Sequence, residues 1–106
     1  MKKFNLNDME RGWFVGNFQP TVYKADNCEF AIKKYNKGDY EKEHFHKAAT
    51  EVTVIISGKV KMKGELFESN DIILIEPNES TDFEVIEDTI TAVFKSASVP
   101  EDKFAV

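Results

Sequence analysis

The chain has 106 residues, with 14 Lys plus Arg against 19 Asp plus Glu, a formal net charge of -5, and a length that sets one domain as the default. With 42% hydrophobic and 31% charged residues it has the composition of an ordinary globular domain, which argues against wholesale disorder and against a multidomain machine. Its lysines are scattered singly in an acidic background, so there is no concentrated basic footprint of the kind that nucleic acid or an anionic membrane requires.

In chain order, the N-terminal lysines run into Asn7, Asp8, Glu10 and Arg11 where a signal peptide needs an apolar stretch, and the expected location is the cytoplasm. Leu6 to Arg11, with Asn5 as cap and Gly12 as stop, predicts a short helix. The single cysteine, Cys28, reads as a small apolar residue in a reducing compartment. Strand signals dominate the rest: Trp13–Phe18, Thr21–Tyr23, Glu29–Tyr35, His44–His46, Thr50–Ser57, Lys59–Lys63, Glu65–Glu68, Ile72–Ile75, Thr81–Ile86 and Thr89–Ser96. Gly, Asn, Asp and Pro punctuate them, which predicts an all-β sandwich or barrel. No apolar run approaches the roughly 20 residues that cross a bilayer.

Alternation within the strands assigns faces. Lys59, Lys61 and Lys63 point to water while Val60 and Met62 point to the core. Val52, Val54 and Ile56 share one face and Thr53 and Ile55 the other, so that strand is apolar on both sides and its second face needs cover. The aromatic segment Trp13, Phe14 and Phe18 is the expected cover, from the same chain or from a second subunit, and a homodimer is the expected assembly. Phe30 and Ile32 are expected on the inner wall with Phe83, and Tyr35 at the barrel mouth. Glu41 and Glu43 sit in the charge-alternating stretch Asp39 to Glu43 and are expected to be solvated.

The residues that carry chemistry are the chain's two histidines, His44 and His46. At i and i+2 in a strand they point to the same side, and Glu51 follows across a short connection to bring a carboxylate towards them. Two neutral imidazoles and one carboxylate are a ligand set for Fe, Mn, Zn or Ni as a divalent ion, with coordination positions left open. The bland reading is a pair of hydrogen-bonded interior histidines with no metal, and the full spacing outweighs it.

That spacing resembles the first signature motif of the cupin superfamily. Gly38, five residues, His44-Phe45-His46, four residues, Glu51, six residues and Gly58 match it at every fixed position. The resemblance implies a small β-barrel of two antiparallel sheets, a double-stranded β-helix, with the two His and the Glu projecting inward as metal ligands. It reaches over roughly residues 28–96, the expected barrel core of a single domain; residues 1–27 and 97–106 resemble nothing in the family.

The second cupin motif departs from the pattern. Asn70-Asp71 and Pro77-Asn78 stand where the motif has glycines, a tolerable change because Asn accepts left-handed backbone angles. The fourth-ligand His is missing. Thr81 or Asp82 takes its position, depending on register; Thr81 shares a face with Phe83 and Val85, which favours it, and Asp82 is the choice if a bulge re-aims the strand. The implied function is a metal-dependent enzyme acting on a small polar organic molecule, of isomerase, lyase or oxygenase type. The alternative is a non-catalytic cupin that binds or senses a small molecule. A metal-free sugar-nucleotide epimerase ranks last, because both histidines are taken up by the metal motif.

Overall fold

The computed structural model describes all 106 residues. Regular structure outside the sheets is a single 3-10 turn, Leu6–Asp8, where the Asn5 side chain accepts from the Asn7 N–H at 2.8 Å. The helix expected over Leu6 to Arg11 stops there because the turn buries no residue, and a segment this short needs tertiary packing to persist as helix.

Eleven strands follow: β1 Trp13–Gly16, β2 Tyr23–Lys24, β3 Glu29–Tyr35, β4 Tyr40–Phe45, β5 Glu51–Ser57, β6 Lys59–Met62, β7 Glu65–Glu68, β8 Ile72–Ile75, β9 Thr81–Val85, β10 Thr89–Lys95 and β11 Phe104–Ala105. One sheet has the order β2-β1-β3-β10-β5-β8 and the other β11-β4-β9-β6-β7. The fold is all-β, as expected. From β3 onward the chain mostly changes sheet at each connection, winding the two sheets round a common interior. Both sheets run past the expected 28–96 core, since β1 and β2 extend the first sheet and β11 extends the second.

Special backbone positions make the crossings possible. Gly58, at the corner between β5 and β6, has φ 103°, and a Cβ there would crowd Asp88 O and stand 2.7 Å from Thr89 Cα. Asn70 and Asn78 take φ 79° and 71°, the left-handed angles that a glycine would otherwise supply.

Burial then follows the two-residue strand period. Thr53 and Ile55 of β5 are buried, as are Val60 and Met62 of β6 and Phe83 and Val85 of β9. Ile55, Val60, Met62, Phe83 and Val85 form the core cluster, with Tyr35, Phe67, Ile73 and Ile75 packed against it. Burial of these side chains, each contributing about 1.5–3 kcal/mol, holds the two sheets together.

The outer face of the six-stranded sheet is unusually apolar. Two cross-strand rows run over β3, β10, β5 and β8: Phe30, Phe94, Val52 and Leu74, then Ile32, Ala92, Val54 and Ile72. Ile72 and Leu74 are 67% and 58% exposed. The N-terminal aromatics do not cover this face. β1 lies beyond β3, on the far side of the sheet from β5; Trp13 and Phe18 line the interior cavity, and only Phe14 reaches outward to Phe30, at 6.4 Å between ring centroids.

The same parity corrects the expectation for β3. Ala31, at 1% exposure, fixes the odd positions as the inner ones, so Phe30 and Ile32 lie on the outer face while Glu29, Lys33 and Tyr35 line the cavity. The apolar residues of this strand point out because the barrel interior there is a polar chamber. Replacing Gly58 by Ala is expected to lower unfolding free energy by about 1–3 kcal/mol through strain and collision at the corner, read as a lower urea midpoint with an unchanged denaturant slope.

Candidate metal centre and its chamber

Between the sheets lies a cavity of about 360 Å³, a size suited to a small organic molecule. β4 supplies its histidines. The β4–β9 register shifts between Glu41 and His44, so that Glu41 pairs with Phe83 and His44 pairs with Thr81. Phe83 and Thr81 are both on the inward parity of β9, so the irregularity turns Glu41 and His44 to the same interior; His46 follows two residues on and is 7% exposed. Glu41 is therefore not the solvated loop residue expected from its charged neighbours. It lines the cavity and its Oε1 accepts a hydrogen bond from the Tyr35 hydroxyl at 3.1 Å.

The two imidazoles stand edge to face with ring centroids 5.4 Å apart. His44 Nδ1 meets the Lys42 carbonyl at 2.9 Å and His46 Nδ1 meets the Asp102 carbonyl. A carbonyl can only accept, so each Nδ1 carries the proton and each Nε2 presents a lone pair, the orientation that a main-chain carbonyl gives to a His that binds metal. His46 Nε2 is 3.8 Å from Glu51 Oε1. Burial lowers the His46 pKa and the Lys95 charge lowers it further, against the opposing Asp102 hydrogen bond and Glu51 charge, so the ring is neutral and ligand-competent near pH 7. The donor chemistry thus fits a divalent ion. No three His, Cys, Asp or Glu side chains are already drawn together as a metal-holding group. Glu51 Oε2 accepts from the Thr53 hydroxyl at 3.2 Å.

At the fourth position, Thr81 lies opposite His44 in the register, and its hydroxyl donates to the Asp82 carbonyl at 2.8 Å. The Asp82 carboxylate is engaged elsewhere: Oδ1 accepts from the Lys63 N–H at 2.7 Å and Oδ2 from the Tyr40 hydroxyl at 3.4 Å.

The chamber contains more charge than the histidine motif announced. On its wall Glu29, Lys95 and Glu51 are consecutive cross-strand neighbours on β3, β10 and β5, with Lys95 Nζ 3.9 Å from Glu29 Oε1. Trp13 lies between two ammonium groups, Lys95 at 4.9 Å and Lys33 at 5.6 Å from its ring centroid. Burial and the Glu41 charge push the Tyr35 pKa far up, so its phenol stays protonated. The Thr91 hydroxyl, next to Lys33 in the register, is buried with no hydrogen-bond partner.

The C-terminal segment holds the site in place. The Asp102 carboxylate accepts from the N–H groups of Lys47, Ala48 and Ala49 at 2.8–3.2 Å, capping the loop between the two ligand-bearing strands. On the opposite side Asn78 N–H donates to the His46 carbonyl at 2.7 Å. Beyond them β11 pairs Phe104 with Phe45 and Ala105 with His44. Burial raises the Asp102 pKa, but the three N–H donors outweigh it and hold the carboxyl below the usual aspartate range.

No protein-family model and no curated protein matches the sequence. Solved structures do match the fold. A Klebsiella pneumoniae protein described by its double-stranded beta-helix domain aligns with a TM-score of 0.64 and 15% identity, over 70% of this chain and 66% of that one. The DMSP lyase DddQ from Ruegeria pomeroyi aligns with a TM-score of 0.71 and 13% identity, over 98% of this chain and 56% of the lyase. Oxalate decarboxylase from Bacillus subtilis aligns with a TM-score of 0.64 and 15% identity, over 76% of this chain but 24% of its own; another structure of that enzyme concerns its Mn(II) centres. This chain has the cupin double-stranded β-helix fold. His44, His46 and Glu51 line its cavity, together with the Tyr35–Glu41 pair and the two lysines Lys33 and Lys95.

Because Asp102 anchors the loop between His46 and Glu51, Asp102→Ala is expected to cost about 1–3 kcal/mol of stability. Its folded-state pKa is depressed, so its contribution is present above the ordinary aspartate value of 3.8 and is lost as pH falls below it. Denaturant unfolding across pH is expected to show the gap between the wild type and Asp102→Ala closing in that acid range.

Proposed function

We propose that this protein is a metal-dependent cupin enzyme acting on a small polar organic molecule inside the barrel. The reading is carried by one observation: both cavity-lining histidines have Nδ1 held by a main-chain carbonyl, and the Nε2 of His46 stands 3.8 Å from Glu51 Oε1. His44, His46 and Glu51 would hold a divalent ion, Fe, Mn, Zn or Ni. Bound there, it would supply a Lewis acid for isomerisation or lyase chemistry, or a redox centre for oxygen chemistry.

The chain's own residues supply the rest. The Glu41 carboxylate faces the cavity and can accept a proton at its carboxyl oxygen. The Tyr35 hydroxyl stays protonated and, by donating to Glu41 Oε1, orients that carboxylate towards the space where a substrate sits. This pair favours catalysis over simple binding, because it answers the need for a proton acceptor outside the ligand set. Thr81 flanks His44 without contributing charge, which leaves room for the substrate on that side.

Protein purified without a His tag is expected to bind Mn(II) at near one ion per chain, and His44→Ala, His46→Ala and Glu51→Ala are each expected to lower that affinity about 10-fold or more, measured by calorimetry. Retained affinity in all three variants would remove the metal reading. A metal that binds as expected while Glu41→Gln leaves turnover of an identified substrate unchanged would turn the reading to a non-catalytic binding cupin.

The outer sheet face supports a homodimer. The two apolar rows over β3, β10, β5 and β8 are broad, and a second copy presents the same rows in return. Sedimentation is expected to give the mass of two chains for the wild type and one for Leu74→Lys, since an ammonium in the middle of such an interface is desolvated without a partner; a monomeric wild type would refute the dimer.

A further inference from the structure

One charged group in the chamber serves neither the metal ligands nor the proton-accepting pair. Lys33 points inward from β3 and lines the cavity. The molecule's ion pairs involve Lys59, Lys63 and Lys95 among the lysines, and none includes Lys33. Its ammonium lies between two aromatic faces, 5.6 Å from the Trp13 centroid and 5.7 Å from the Tyr35 centroid. Burial lowers its pKa, Glu41 opposes the shift, and the charges of Arg11 and Lys95 reinforce it. A largely desolvated ammonium that lies against two ring faces and makes no ion pair is an arrangement that an anion in the cavity would relieve.

We propose that the ligand of this chamber is a small organic carboxylate, its carboxylate group bound by the Lys33 ammonium between Trp13 and Tyr35. That the other end of the ligand reaches the His44, His46 and Glu51 side rests on the proposed metal reading; the Lys33 subsite does not. A carboxylate suits this site better than a phosphate. The subsite has one unpaired ammonium, matching the single charge of one carboxylate group, where a phosphate group would bring a second charge close to Glu41 on the same wall. The chain has no helix beyond Leu6–Asp8, so no helix N-terminus is present to hold a phosphate. The flat faces of Trp13 and Tyr35 also match a planar carboxylate and its short carbon chain.

Trp13 is the chain's single tryptophan, so its fluorescence reports directly on the subsite. The full chain, metal-free after chelation and again loaded with Mn(II), would be titrated with malonate and with its uncharged analogue malonamide, following Trp13 emission and binding heat. Expected is saturable malonate binding in at least one of the two states, no malonamide binding, and at least about tenfold weaker malonate binding in Lys33→Met, as loss of a charged hydrogen-bond partner implies. Mn(II) affinity is expected to be unchanged in that variant. Lys33→Gln gives a second, polar replacement should the Met variant fail to fold. Equal malonate binding by the wild type and a folded Lys33 variant, malonamide binding as tight as malonate, or no malonate binding in either state would overturn the proposal. Lys33-dependent malonate binding in a protein that fails to take up Mn(II) would uphold the carboxylate subsite and remove the metal reading alone.

Discussion

Placing ionised side chains between two β-sheets is the constraint around which this molecule is arranged. Glu29, Lys95 and Glu51 alternate in sign across three neighbouring strands, so the half-buried lysine has a carboxylate as its cross-strand neighbour on either side, Glu29 at 3.9 Å. Desolvating any one of them alone would cost several kcal/mol; in alternation they are tolerated, and the interior can be polar without unfolding the barrel. Burial, and after it the Lys95 charge on that wall, lower the His46 pKa against the opposing Glu51 charge. The rest of the chamber, from Trp13 over the lysines to the Tyr35–Glu41 pair, is built on the same wall.

The polar interior also explains the outside of the sheet. Strand β3 has only two faces, and when Glu29, Lys33 and Tyr35 take the inner one, Phe30 and Ile32 are left on the outer one. On β5 and β10 likewise Glu51, Thr53, Thr91 and Lys95 face inward while Val52, Val54, Ala92 and Phe94 face out. A partly charged interior and an apolar exterior are thus two results of a single choice of strand parity.

Much of the fold was legible in the sequence. Strand positions followed from β-branched runs and turn residues, and the spacing from Gly38 to Gly58 pointed to the double-stranded β-helix. Parity arguments succeeded where a strand has one polar face, as in Lys59–Met62, and failed in β3, where hydrophobicity points the wrong way because the interior beside that strand is polar. Glu41 was misread for a related reason. Its neighbours Lys42 and Glu43 make the stretch look like a solvated loop, and only the register shift opposite Phe83 and Thr81 turns it inward. A sequence signal for the chamber did exist: Glu29, Lys33 and Tyr35 share a parity with the small residue Ala31, and small residues leave space. Asp102 had no signal at all, since its partners are more than fifty positions away.

That separation has a bearing on how the protein is made. A chain emerging from the ribosome presents both histidines and Glu51 early, but the carbonyl that sets the proton on His46 and the carboxylate that ties down Lys47 to Ala49 arrive only with Asp102. Sheets can begin pairing during synthesis, whereas the loop bearing His46 acquires its final hydrogen bonds only once Asp102 has joined it.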